Sequence, residues 1–205
     1  MNTTEEKKII FVCLGNTCRS PMAEVIFRYE LKRLGKTGVS VTSAGTLVGK
    51  SGNMNPHSLQ VLGENGFYAW NFSSVQLDAE MILTAHAIVC MTDELRDVVS
   101  YMRYKLLSDK EDAENNVYSF SDLTGYEIPD PYGQGIEAYR KVFEQLLAGM
   151  PKIAEGLLPQ EKKEEPKEKK PRKPRAKPRK RKVGTAKKST KKKAATPRKK
   201  KGEKE

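Results

Sequence analysis

Residues 9–24 read Ile9-Ile10-Phe11-Val12-Cys13-Leu14-Gly15-Asn16-Thr17-Cys18-Arg19-Ser20-Pro21-Met22-Ala23-Glu24. The first four are a continuous β-prone apolar run, and Ala23, Ile26, Phe27, Leu31 and Leu34 follow at helical spacing until Gly35. A strand therefore gives way to a helix within this block. The turn between them carries a cysteine and an arginine separated by five residues. Backbone N–H groups in such a turn, together with the positive end of the helix, hold a tetrahedral anion. Cys13 is then placed beneath the bound phosphorus.

Each loop residue has a physical reason to be there. Gly15 and Asn16 are residue types that tolerate left-handed backbone, which a loop needs if consecutive N–H groups are to point inward. The cradle is expected to comprise Leu14, Gly15, Asn16, Thr17, Cys18 and Ser20. Arg19 offers a planar fork that can hold two phosphate oxygens and neutralise their charge in the transition state. Ser20 suits a helix cap, and its hydroxyl can donate to the sulfur. Pro21 fits the first helical position, where a missing N–H costs nothing. A helix N-terminus and a guanidinium beside Cys13 favour the thiolate, which is the nucleophilic form.

This block resembles the signature of the low-molecular-weight protein phosphatases, the Cys-dependent family usually called protein-tyrosine phosphatases, and the resemblance runs from about Lys8 to Gly156. It implies a phosphocysteine intermediate on Cys13. A leaving group departing from phosphorus needs a proton, and the intermediate then needs a base to activate water. One carboxylate can serve both steps. Ile128-Pro129-Asp130-Pro131-Tyr132-Gly133 places Asp130 on a proline-stiffened loop, and the family carries its general acid in such an Asp-Pro pair. Cys13, Arg19 and Asp130 are thus the expected catalytic residues.

The resemblance also bears on substrate. In the family, the tyrosine-directed branch generally has an aliphatic residue at the position of Thr17, whereas the branch directed at phosphoarginine in proteins has threonine. A hydroxyl facing the cleft can order water for attack at a phosphorus bonded to nitrogen, and Asp130 could pair with the substrate guanidinium. Tyr132 is followed by Gly133, without the second bulky aromatic often found in tyrosine-directed members. Phosphoarginine is the favoured substrate, with Thr17 and Tyr132 setting specificity. Phosphotyrosine is the alternative. A second class of reading, a nucleic-acid-associated protein that binds phosphate without turnover, has no need of the nucleophile and acid together.

The three cysteines, Cys13, Cys18 and Cys90, and the lack of an export signal point to a reducing cytoplasm. The resemblance implies a reversible Cys13–Cys18 disulfide under oxidants, protecting the nucleophile from irreversible acids. Cys90, in the run 87–91, reads as a core strand residue. Thioredoxin-coupled arsenate reductases share the loop but need a further cysteine pair, and no cysteine follows Cys90. His57 and His86 lack a paired ligand spacing, so neither a metal nor a cofactor is expected. Ser43 and the stretch 71–74 match family positions that buttress the phosphate loop, with Asn71 standing where a histidine is usual. Glu24 reads as structural, and Trp70 as a packed residue that could also flank the cleft.

The remainder of 1–159 alternates strands and helices. Strands are expected at 39–42, 86–91 and 116–120, and helices at 56–62, 93–104 and 134–154, the last burying Tyr139, Val142, Phe143, Leu146 and Leu147. This pattern predicts one α/β domain, a three-layer fold with a four-stranded parallel sheet and the phosphate loop between first strand and first helix. Residues 160–205 follow other rules. They hold 23 Lys or Arg against 6 Glu, a net of +17, leaving −5 for 1–159. Such a tail cannot bury enough surface to offset chain entropy and is expected to be disordered. A polycation of this kind binds DNA, RNA or acidic proteins by counterion release, and nucleoid association would follow. No membrane span is expected.

Overall fold

The computed structural model describes residues 6–50, 52–69, 71–107 and 115–158. The expected tail, 160–205, and Trp70 lie outside the described residues. The elements are β1 (Lys7–Cys13), α1 (Arg19–Arg33), β2 (Val39–Gly45), α2 (Pro56–Glu64), α3 (Ala79–Thr84), β3 (Ala87–Cys90), α4 (Asp93–Leu106), β4 (Val117–Ser119), α5 (Phe120–Thr124) and α6 (Ile136–Leu157). The four strands pair in the order β2-β1-β3-β4, all parallel.

The alternation of side chains along β1 builds the three layers. Ile9, Phe11 and Cys13 join a core that includes Phe27 of α1, Val61 of α2, Phe120 of α5 and Leu146 of α6. Ile10 and Val12 point the other way, with Ile82 of α3 and Val99 of α4. Because β1 is central and buried on both faces, its run is apolar without alternation. From β1 the chain moves to β2 on one side, then crosses back to β3 on the other. That reversal opens a crevice at the carboxyl end of β1, the position ligands occupy in open parallel sheets. Cys13 is the last residue of that strand, paired in register with Gly45.

Three local differences from the sequence reading have physical causes. α3 has six residues, too few to display a helical period, and is started by Asp78, whose Oδ1 accepts from the Met81 N–H at 2.8 Å. The fourth strand stops at Ser119 because Ser119 and Asp122 form a reciprocal capping box, turning Phe120 into the first residue of α5. Leu147 is 44% exposed. The buried stripe of α6 continues instead through Gly149, Met150 and Ile153. Gly149 is required there: a Cβ would lie 2.5 Å from the Phe120 ring. Among the described residues no helix is long and apolar enough to cross a membrane.

Candidate active site

The strand-to-helix loop is held from below by one side chain. Asn16, fully buried at φ 52°, donates through Nδ2 to Ser20 Oγ at 2.9 Å and to Ser43 Oγ at 3.0 Å, and its Oδ1 accepts from the Val75 N–H at 2.8 Å. Ser43 Oγ in turn donates to Glu24 Oε2 at 2.6 Å, and Glu24 pairs with Arg28 at 2.6 Å. The left-handed backbone at Asn16 is thus stabilised by a fully satisfied polar network. Gly15 does not use its conformational freedom, since it is absent from the positive-φ residues and an added Cβ would meet Thr17 Oγ1 at an ordinary 3.8 Å. Asn71 is exposed, at φ 51°. The buttress expected from it comes from the Val75 N–H, while Ser74 holds Gly52 at 2.7 Å.

Cys13 is 2% exposed, with Sγ 3.0 Å from Ser20 Oγ. Ser20 is the second residue of α1, not its cap; Cys18 is the cap residue, without a side-chain cap bond, and Pro21 falls third. A proline there still sacrifices only an N–H that has no partner within the helix. Arg19 opens α1 and is 5% exposed. Its Nη2 donates to Asp130 Oδ2 at 2.6 Å and its Nη1 to the Ile128 carbonyl at 3.3 Å, while Nε is buried with no hydrogen-bond partner. A guanidinium so placed has donor capacity left for an oxyanion.

Asp130 reaches this arginine from 111 residues away. Its side chain is 43% exposed, and Oδ1 accepts from the Tyr132 N–H at 3.2 Å. The loop is tied to the end of β3 by Ile128 N–H on the carbonyl of Met91, the next residue, at 3.0 Å, and is closed on itself by Gln134 Nε2 on the Asp130 carbonyl at 2.7 Å. Tyr132, 72% exposed, stands beside the acid. The site therefore joins Cys13, Arg19 and Asp130 on one loop pair at the crevice. It can cradle a phosphoryl group, attack it and supply or take a proton.

Thr17 is half-buried, with Oγ1 3.6 Å from Cys18 Sγ. Its carbonyl accepts from the Asn55 N–H at 2.8 Å, and Asn55 caps α2 through the His57 N–H, so the loop and α2 are stitched together. Cys18 is buried and lies 3.6 Å from the Tyr139 hydroxyl. Burial pushes the Cys18 thiol up, and likewise the Tyr139 phenol. Cys90, fully buried in β3, is also raised by burial, as suits a core residue. His57 packs edge-on to Tyr139.

Sequence reasoning missed four contributors. Gly45 lets β2 approach the loop, for a Cβ would fall 2.5 Å from the Leu14 carbonyl and 3.0 Å from the Asn16 N. A glycine ending a strand was its available signal. Tyr139 looked only like a core residue of α6. Asn55 before Pro56 carried an N-cap signal but none for the loop. Val75 acts through its backbone and left no trace in residue type.

The chain matches the low molecular weight phosphotyrosine protein phosphatase family over residues 8–165. The chain belongs to this family. It is 32% identical over 154 residues to the protein-arginine-phosphatase of Bacillus subtilis, covering 73% of this chain and 95% of that one. It is 34% identical over 146 residues to the low molecular weight protein-tyrosine-phosphatase PtpB of Staphylococcus haemolyticus, covering 68% and 92%. Among solved structures, a mutant of the YwlE arginine phosphatase with a phosphorylated active site serine superposes with a TM-score of 0.64 at 30% identity, covering 73% and 95%. The members of this family are Cys-dependent protein phosphatases, and that is the chemistry of this chain.

Proposed function

We propose that the protein hydrolyses phosphoarginine in proteins, with Cys13 as nucleophile, Arg19 as phosphate clamp and Asp130 as acid and base. The Cys13 thiolate forms the S–P bond as the P–N bond to the substrate breaks, and the departing guanidine takes a proton from the Asp130 carboxyl. Asp130, now a carboxylate, removes a proton from water, which attacks phosphorus; the S–P bond breaks and inorganic phosphate leaves. The loop N–H groups, with Leu14, Gly15 and Asn16 at their centre, and the Arg19 fork hold the equatorial oxygens throughout. Because Arg19 Nη2 and Asp130 Oδ2 already touch, the phosphate takes over the guanidinium and leaves Asp130 to the substrate nitrogen.

The observation that carries the phosphoarginine choice is Thr17, half-buried in the loop with its hydroxyl against Cys18. It is supported by the likeness to a protein named as an arginine phosphatase. The family description and a relative of similar identity named as a tyrosine phosphatase favour phosphotyrosine as the second reading. Purified protein assayed side by side on phosphoarginyl and phosphotyrosyl peptides tests the choice. A higher kcat/KM for phosphoarginine is expected; a clear preference for phosphotyrosine overturns it. Residues 160–205, at +17, are proposed to bind nucleic acid or another polyanion and to localise the enzyme in a cytoplasm that holds it.

A further inference from the structure

Tyr139 is the largest fully buried side chain of the core, yet its hydroxyl is not in apolar surroundings. Among the described residues the hydroxyl has one hydrogen-bond partner, Cys18 Sγ at 3.6 Å, and that sulfur has a second neighbour, Thr17 Oγ1, also at 3.6 Å. The three form a row from the core of α6 to the phosphate loop. Its direction follows from counting donors. A buried phenol O–H needs an acceptor, and the Cys18 sulfur is the acceptor within reach. With the phenol donating to Sγ, the Cys18 S–H is left to donate outward, and Thr17 Oγ1 is the acceptor it meets. Thr17 Oγ1 then accepts a hydrogen bond from behind and has its own O–H free to face the cleft. Reversing the whole row would leave the Tyr139 proton buried with no acceptor, at a cost of about 1–3 kcal/mol, and letting Thr17 also donate to the sulfur would leave the Cys18 S–H without one.

We propose that Tyr139 is a positioning residue for substrate selection: through Cys18 it fixes which way the Thr17 hydroxyl points, presenting the O–H to the cleft. The proposal rests on the reading of Thr17 as the phosphoarginine determinant. Removing the phenol O–H in Tyr139→Phe keeps the ring against His57 but frees Cys18 and Thr17 to reverse, so that Thr17 donates to sulfur and withdraws its proton from the cleft.

Two measurements on the full chain test this. The S–H stretching band of Cys18, identified in the infrared as the band lost in Cys18→Ala, should move to higher frequency in Thr17→Val, because its acceptor is gone. A band that moves only in Tyr139→Phe, or no Cys18 S–H band at all, overturns the assigned direction. In kinetics, Tyr139→Phe should lower the ratio of kcat/KM for a phosphoarginyl over a phosphotyrosyl peptide by about fivefold, and should lower it no further in a Thr17→Val background. Equal losses on both peptides in both backgrounds would make Tyr139 a packing residue only and overturn the proposal. If Thr17→Val leaves the ratio unchanged, the phosphoarginine reading of Thr17 falls, and the infrared band alone decides the direction of the row.

Discussion

Cys13 meets the Ser20 hydroxyl at 3.0 Å, and the Arg19 guanidinium that opens α1 keeps an Nε without a partner, so the variants at these positions should separate binding from chemistry. Cys13→Ser should abolish turnover while still binding orthovanadate or phosphate, measured by calorimetry. Arg19→Ala should lose both, with kcat/KM down by about 10²-fold or more. Asp130→Asn should cost about 10²–10³-fold on substrates whose leaving group needs a proton, and little on a highly activated aryl phosphate. A large loss on the activated ester would remove Asp130 from the acid's role. At Thr17, replacement by Ile should lower phosphoarginine hydrolysis relative to phosphotyrosine, with a change in preference of about 1–3 kcal/mol in the transition state. We also propose that Cys18 protects Cys13: mild peroxide followed by reductant should restore the wild type, whereas Cys18→Ser should stay inactive.

At the scale of elements, the end of β2 and the cap of α5 make distinct predictions. Gly45→Ala would push a Cβ to 2.5 Å from the Leu14 carbonyl. Backbone must then shift, so kcat should fall by tenfold or more together with a stability loss of about 1–3 kcal/mol by thermal melting. Ser119→Ala should cost about 1 kcal/mol by removing the capping box of α5. The Asp122 carboxyl in that box is held below its ordinary value first by the Ser119 N–H, with Arg96 adding to it against burial. A depressed carboxylate stabilises the fold above its unfolded value and loses that contribution as pH falls. The Tm gap between wild type and Asp122→Ala should therefore be constant near neutrality and shrink as pH drops below about 3.8. These elements also show what the sequence could disclose. Four strands, their parallel direction and the loop 13–20 were legible, because strand-helix alternation and a Cys-to-Arg turn leave residue-type signatures; the order of the strands in the sheet was not. α3 and α5 were not, being shorter than the period that reveals a helix. At the site, Arg19 and Asp130 could be named from their motifs. The Val75 N–H could not be, because any residue but proline supplies one, and Tyr139 could not be, because its polar end hides on a core stripe.

For the whole molecule, the charge division sets a prediction of its own. Deleting residues 160–205 removes a net +17 and leaves −5, so turnover of a small soluble substrate should persist while affinity for DNA or RNA collapses. Full-length binding should weaken steeply with salt and show little sequence preference, as counterion release requires. Filter binding across a salt series checks this; salt-insensitive or sequence-selective binding would place recognition in the folded domain. The central claim is that phosphorus passes from arginine to Cys13 and then to water. It is tested most directly by mixing the enzyme with a protein phosphorylated on arginine, quenching within the first turnover, and locating the label by mass spectrometry. The account predicts a transient phosphoryl group on Cys13, formed from phosphoarginine and absent in Cys13→Ala. Phosphate release from phosphoarginine with no phosphorylated Cys13, or a phosphoenzyme that forms from phosphotyrosine but not from phosphoarginine, would contradict it.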